Sequence, residues 1–320
     1  MAYTVDFTEE RRGAGTGETI QRTTSLIGGR ALEAFSRREE ADVVVVGTSA
    51  AAAWRLPRTA SLVIPMRVHF VLDFDRSVDA LLQNASKRGR REFRRKSNQH
   101  VWEHGITRDP SWFDVFYDRF YQPTMVQRHG PHARTENRES AYECLFRSGM
   151  LFYLSMDGER VAGKLCHWNP SSRILTSRLL GVLDGSAEYY RADAVKIIFY
   201  SLIEWAGRNG IRRLDFQGTE PFLSKGTYQM KRRFGTRVIL PPNHFGRKRL
   251  WFQIRRDTPA VRDFLVGNPV LTESVDGSLC ATYFYDGQRP PRTDYQGESP
   301  GIDAVRQIDL DDFLAGCGQR

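Results

Sequence analysis

The stretch GMLFYLSMDGERVAGKLCHW, residues 149–168, decides how the chain reads. Met150 to Met156 is an apolar run, Asp157-Gly158 is a two-residue turn signal, and Arg160 to Trp168 returns, which together predict a β-hairpin. Asn169-Pro170 makes the next turn and Arg173 to Leu183 a third strand. A helix is expected from Arg191 to Arg208, with Val195, Ile198, Phe199, Leu202, Trp205 and Ala206 on one face, stopping at Asn209-Gly210. A strand from Ile211 to Phe216, a glycine-containing loop, a basic helix from Tyr228 to Arg233 and a strand from Thr236 to Leu240 follow. Upstream of the hairpin, Asp109-Pro110 opens a helix whose Trp112, Phe113, Phe116, Tyr117, Phe120 and Tyr121 form a buried aromatic face. A short strand from Val101 to Thr107 precedes it, and a helix from Thr135 to Arg147 leads into the hairpin. The order is α-β-β-β-α-β-α-β, an α/β pattern of mixed strands and helices.

The remainder surrounds this segment. Residues 1–21 read as a mobile arm, followed by a helix from Ser25 to Glu40 and a strand from Asp42 to Gly47. Pro65 to Asp73 alternates apolar and polar residues as one strand. Ser77 caps a helix that runs into a basic segment. These signals divide the 320 residues into the arm, an N-terminal α/β unit at 22–108, a main domain at 109–285 and an acidic tail at 286–320. The net charge of +9 is uneven. The tail holds seven acids against four arginines, leaving +12 on the rest. Such a basic body attracts polyanions: nucleic acid, phosphorylated substrates or acidic lipid. Four scattered cysteines without a CxxC pair exclude a disulfide framework and speak against structural zinc, so no metal is expected. The polar N-terminus fits neither a signal nor a transit peptide, and no apolar run approaches the ~20 residues of a membrane span, so a cytoplasmic location is expected.

The order and its joints resemble the fold of the Gcn5-related N-acetyltransferases (GNAT), and more narrowly the Fem-type branch, whose members transfer an amino acid from aminoacyl-tRNA to an amine. The resemblance rests on residues 149–163, on Tyr189-Tyr-Arg191 opening a helix that ends in Glu204-Trp-Ala206, on Leu214-Asp-Phe216 with a downstream glycine, and on Met230-Lys-Arg-Arg-Phe-Gly235. It covers about residues 85–245 and implies a GNAT-like unit. Fem-type proteins hold two such units in tandem, with 22–108 as a reduced first copy here. Acyl-CoA users of the fold carry a glycine loop before the central helix, whose N–H groups hold the pyrophosphate. The matching place here reads Tyr190-Arg-Ala-Asp-Ala194, with no glycine and an added carboxylate. The implied donor is therefore aminoacyl-tRNA with no cofactor, and the acceptor a small-molecule or peptidyl amine. Acyl-CoA or an acyl carrier protein is the alternative donor, and a non-catalytic RNA-binding protein on the same fold is the rival of another class.

The candidate residues follow. The resemblance makes Lys231, in the lysine-FG element, the stabiliser of an oxyanion or of the tRNA end; otherwise it is one more cation of a basic helix. Asp215 points opposite to Leu214 and Phe216, placed to take the proton or orient the incoming ammonium, or else to pair with Arg212 or Arg213. Tyr228, just beyond the loop Gly218–Gly226, completes the catalytic candidates, and Glu220 and Lys225 on that loop are candidates for substrate binding. Arg128 and His129 match an R-H-G-like word that implies the substrate cleft, and Tyr190 and Arg191 open the central helix. Lys87, Arg88, Arg90, Arg91, Arg94, Arg95 and Lys96 place seven cations in ten residues against the single acid Glu92. Their mutual repulsion favours an anionic partner, with His100, Trp102 and His104 downstream suited to stacking on bases. Arg232 and Arg233 extend the phosphate-binding set. Cys166 and His167 are adjacent in a strand, point to opposite faces and form no dyad.

Overall fold

In the computed structural model the chain is described at residues 41–130, 133 and 135–317. The arm at 1–21 and the helix expected over Ser25–Glu40 lie outside the described residues. In chain order the elements are β1 (Val43–Ser49), α1 (Ala50–Ala53), β2 (Ser61–Pro65), β3 (Val68–Asp73), α2 (Val78–Leu82), α3 (Lys87–Ser97), β4 (Trp102–Thr107) and α4 (Pro110–Val115). A π-helical turn (Phe116–Tyr121) joins α4 to α5 (Gln122–His129); α6 (Arg138–Ala141) runs into a second π turn (Tyr142–Phe146). Then come β5 (Gly149–Met156), β6 (Glu159–Asn169), β7 (Ile174–Val182), α7 (Ala187–Arg191), α8 (Ala194–Arg208), β8 (Arg213–Thr219), α9 (Gly226–Arg232) and β9 (Arg237–Ile239). The chain closes with β10 (Lys248–Ile254), α10 (Pro259–Gly267), β11 (Val270–Glu273), β12 (Leu279–Tyr285), β13 (Ala304–Asp309) and α11 (Leu310–Leu314).

Contacts divide the chain into two interleaved units rather than into successive segments. One holds Phe70–Gln217 and Lys231–Arg237; the other holds the residues up to His69, Gly218–Met230 and Val238–Arg320. The cut expected at 108/109 is therefore not where the contacts separate.

The unit of Phe70–Gln217 is built on a seven-stranded sheet of order β4-β5-β6-β7-β8-β3-β9. β4 to β7 form an antiparallel meander, with β5 and β6 joined by the expected hairpin, and β8 adds in parallel to β7. Asp109 caps α4, its carboxylate accepting from the Ser111 N–H at 2.9 Å with Pro110 in the first turn. Phe113, Phe116, Tyr117, Phe120 and Tyr121 bury against Leu151, Leu165 and Leu179 on one face of the sheet. Two glycines make this close approach possible. A Cβ on Gly163 would lie 2.7 Å from the Phe116 ring, and one on Gly181 2.5 Å from the Phe120 carbonyl carbon. The opposite face carries α8. Phe199 stacks on Phe216 at 5.4 Å and on Phe234 at 4.9 Å, and Ile198, Leu202 and Ala206 are completely buried.

The other unit contains two three-stranded sheets. β1, β10 and β2 are antiparallel in the order β1-β10-β2; β12 sits between β11, antiparallel, and β13, parallel. Its core gathers Leu62, Ile64, Phe222, Phe252, Leu265, Phe284, Leu310 and Leu314. Residues 286–317 are thus no tail: β13 and α11 are part of this core. Their acids meet local arginines, Asp311 and Asp286 facing Arg262, and Asp294 facing Arg292.

Three further differences have local causes. The strand expected over Pro65–Asp73 begins at Val68, because Pro65 ends a separate strand, β2, in another sheet. The helix expected over Arg191–Arg208 breaks at Asp193, whose backbone is left-handed with φ 66°. The helix expected over Thr135–Arg147 starts later, at the Asn137 cap, and widens into the π turn. Among the described residues no helix is long and apolar enough to cross a membrane.

Candidate acyl-transfer site

The site in the Phe70–Gln217 unit starts from a break in the sheet. β7 and β8 pair in parallel at three positions, Ile174–Thr176 against Arg213–Asp215. Beyond them β7 continues to Val182 along β6, with an extra residue, Arg178, bulged into the strand between Ser177 and Leu179. At the end of β7 the N–H of Val182 donates to Thr124 Oγ1 at 2.8 Å, and the same hydroxyl donates to the Val182 carbonyl. A side chain from α5 thereby serves the backbone groups that turn away from β6. By strand alternation Leu180 turns its N–H and C=O to that same side.

At the end of β8 the structure brings two predicted residues onto one peptide neighbour. Asp215 is buried and its Oδ1 accepts from the Gln217 N–H at 2.7 Å; Lys231 Nζ donates to the Gln217 carbonyl at 3.0 Å. Gln217 itself has φ 64°, a conformation disfavoured for a residue with a side chain. Strain of this kind is held in place by its surroundings and concentrates at functional sites. Gln217 escaped sequence reading because nothing in an Asp-Phe-Gln-Gly run announces the backbone sign. Asp215 does not pair with Arg213, whose partner is Asp73 at 2.5 Å.

The ground before α8 is shaped by Asp193. Asp193 supplies the left-handed backbone that a glycine would normally supply there, and its carboxylate meets Lys196 at 3.3 Å. Lys196 in turn meets Glu92 at 2.9 Å. Two carboxylates and the Lys196 ammonium between them therefore meet at the first turn of α8. Arg128 and Tyr190 come together, the guanidinium 5.2 Å from the ring centroid. Arg191 ends α7 exposed, with its carbonyl accepting from Lys96 Nζ at 3.2 Å. His129 ends α5, and its side chain lies outside the described residues.

α3 explains the charge run. Ser86 caps it, accepting from the Gly89 N–H at 3.0 Å. Its inner face follows i, i+4, i+7 spacing: Gly89 is buried, Phe93 stacks on Tyr200 at 4.3 Å, and Lys96 reaches Arg191. Arg90 is turned back to the Leu82 carbonyl at 3.0 Å. Lys87, Arg88, Arg91, Arg94 and Arg95 are exposed. Glu92 faces both Arg88 and Lys196, and their hydrogen bonds hold its pKa down at about 2. His100 and Trp102 are engaged in the fold, with Asp157 at 2.8 Å and the Lys96 carbonyl at 3.3 Å, while exposed His104 stacks on Phe152. Arg233 is exposed and Arg232 half-buried.

The remaining candidates lie in the other unit. The Gly218–Gly226 loop is not a solvated loop: Thr219 through Ser224 are all buried. Glu220 faces Lys225 at 3.6 Å and accepts from the Thr219 hydroxyl at 3.1 Å. Tyr228 is completely buried in α9.

In the Phe70–Gln217 unit two parallel strands thus part beside α8, and Lys231 is fixed on Gln217 near the end of the second of them. Residues 83–232 match the family model described as an acetyltransferase (GNAT) domain, which supports an acyltransferase-type unit over that segment. Among solved structures, the chain is similar to FemX, with a TM-score of 0.45 and 13% identity over 58% of this chain and 61% of that chain. It is similar to L-PGS from Bacillus licheniformis, with a TM-score of 0.41 and 11% identity over 63% of this chain and 64% of that one. It is also similar to a GCN5-related N-acetyltransferase from Kribbella flavida, at 0.29 and 10% over 82% and 56%. The chain thus spans less than two thirds of the length of each. No curated protein sequence matches it.

Proposed function

We propose that the protein forms an amide bond by transferring an amino acid from aminoacyl-tRNA to the amine of a small-molecule or peptidyl acceptor in the cytoplasm. The observation that carries this reading is the first turn of α8, where Asp193 and Glu92 stand in place of a pyrophosphate cradle. The exposed arginines of α3 supply the complementary feature, a cationic face suited to an RNA backbone.

The acceptor amine attacks the ester carbonyl, the C–N bond forms, and the C–O bond to the terminal ribose breaks. Lys231, fixed on the Gln217 carbonyl, stabilises the oxyanion that develops between those two events. Asp215 orients the incoming ammonium and receives one of its protons, and the second proton the nitrogen releases as the amide forms goes to the departing ribose oxygen, which leaves as the hydroxyl. An aminoacyl ester is already activated, so this sequence needs no covalent enzyme intermediate.

The test is incubation of the protein with bulk tRNA charged with labelled amino acids, beside labelled acetyl-CoA, in an extract of the source cells. An RNase-resistant labelled product formed from the tRNA pool supports the reading. Label moving only from CoA overturns it, as does tRNA retention without transfer, which would indicate an RNA-binding protein.

A further inference from the structure

Lys164 lies in the middle of β6 and is 2% exposed. Strand register sets it between Phe152 of β5 and Leu180 of β7. Above it α8 places the Phe199 ring, whose centroid is 3.8 Å from the ammonium nitrogen. Cys166, two residues on and therefore on the same face, is also completely buried. Burial pushes that thiol up to about 12, so it provides no negative charge at neutral pH. Among the described residues Lys164 has no hydrogen-bond or ion-pair partner at its ammonium. Burial without a counter-ion brings its pKa down to about 8.

A buried cation without an anion is costly, and sequences keep one where something else supplies the charge. A ring face offsets part of the cost, but a methionine would fill the same space without it. The cross-strand neighbour of Lys164, Leu180, is half-buried and belongs to the part of β7 that has left β8, so the ammonium sits one strand in from the parting. An acyl group held along β7 would bring the end of its side chain there.

We propose that Lys164 is the selectivity residue of the donor site and holds the side-chain carboxylate of an acidic acyl group lying between β7 and β8. The donor is then an amino acid with a terminal carboxylate, and a neutral isostere is rejected because it leaves the ammonium unpaired. The inference deepens the acyl-transfer reading and rests on it for the position of the acyl group.

The probes are L-glutamic acid α-amide, which keeps the side-chain carboxylate, and L-glutaminamide, the neutral isostere. The full chain, labelled with 15N at lysine Nζ, is titrated with each, and the Lys164 signal is identified by its loss in Lys164→Met. The acidic probe is expected to shift the Lys164 signal, to raise its titration midpoint, and to bind at least about tenfold more tightly than the neutral one. Lys164→Met is expected to lose that preference while keeping the fold, read by circular dichroism. A Lys164 signal that either probe leaves unmoved, or equal preference in Lys164→Met, overturns the proposal. Transfer of only neutral amino acids from tRNA, unaffected by Lys164→Met, also overturns it and leaves the tRNA reading standing. Carboxylate-selective binding at Lys164 with no transfer from tRNA would do the reverse.

Discussion

Arg249 and Lys164 are both cations buried in mid-sheet, at 3% and 2% exposure, and the two units treat them in opposite ways. Arg249 of β10 is met by Glu273 of β11 through both nitrogens of its fork, and its third donor group reaches the carbonyls of Gly246 and Lys248. Lys164 faces rings and leucine. The unit of Arg249 satisfies its charge within the fold, which is what a structural element requires. The unit of Lys164 leaves charge for something that arrives. The same contrast runs through the Phe70–Gln217 unit. Arg213 and Arg237 share Asp73, whereas five cations of α3 point to solvent against one acid.

The largest effect should come from breaking the satisfied pair. Arg249→Met leaves the Glu273 carboxylate buried alone and is expected to cost roughly 3–5 kcal/mol in urea unfolding. Adding Glu273→Leu should recover most of it. If Arg249→Met unfolds like the parent, the charge is not held by the pair and the contrast fails. Lys231→Ala belongs on the other side: transfer should fall by about a hundredfold or more with the unfolding midpoint little changed. A loss of stability that matches the loss of rate would make Lys231 structural.

Lys164→Met sharpens the contrast by its sign. An unfolded lysine keeps its proton up to about pH 10.5, the folded Lys164 only to about 8. Between those values the unfolded chain binds more protons, so stability of the parent rises with pH across that window. The substitution should therefore stabilise the protein at pH 7, by on the order of 2–3 kcal/mol. The gain should shrink above pH 8 and vanish above about 10.5. A destabilised variant at pH 7 would mean that an anion within the fold already pairs with the lysine. The smallest effect concerns α3. Changing Arg91, Arg94 and Arg95 together to Gln should reduce the salt slope of tRNA binding by about 2–3 while leaving stability within ~0.5 kcal/mol. An unchanged slope would return the run to a solvated helix face.

Much of the Phe70–Gln217 unit was legible in the sequence. The hairpin, the third strand, the aromatic helix with its Asp109-Pro110 start and the strand at Leu214 all rest on local patterns that the tertiary structure reinforces. The candidate site was legible only as separate residues. Lys231 and Asp215 could be named from their words, but their meeting on Gln217 depends on a backbone sign with no sequence marker. Tyr228, Glu220 and Lys225 read as loop chemistry, because burial of a polar segment comes from what packs over it. Lys164 went unread because a lysine in a strand looks like an alternating surface residue until both faces of the sheet are known to be covered.

Periodicity, turn residues and caps are short-range properties of the chain, so the sequence by itself determined the strands, the helices and the charge run on α3. Which strand follows which in the sheet, the parting after Thr176, the absorption of residues 286–317 into a core and the fate of each buried charge were decided by tertiary structure. Each depends on residues far apart in the chain competing for the same apolar surface and the same few counter-ions, and no local pattern records the outcome.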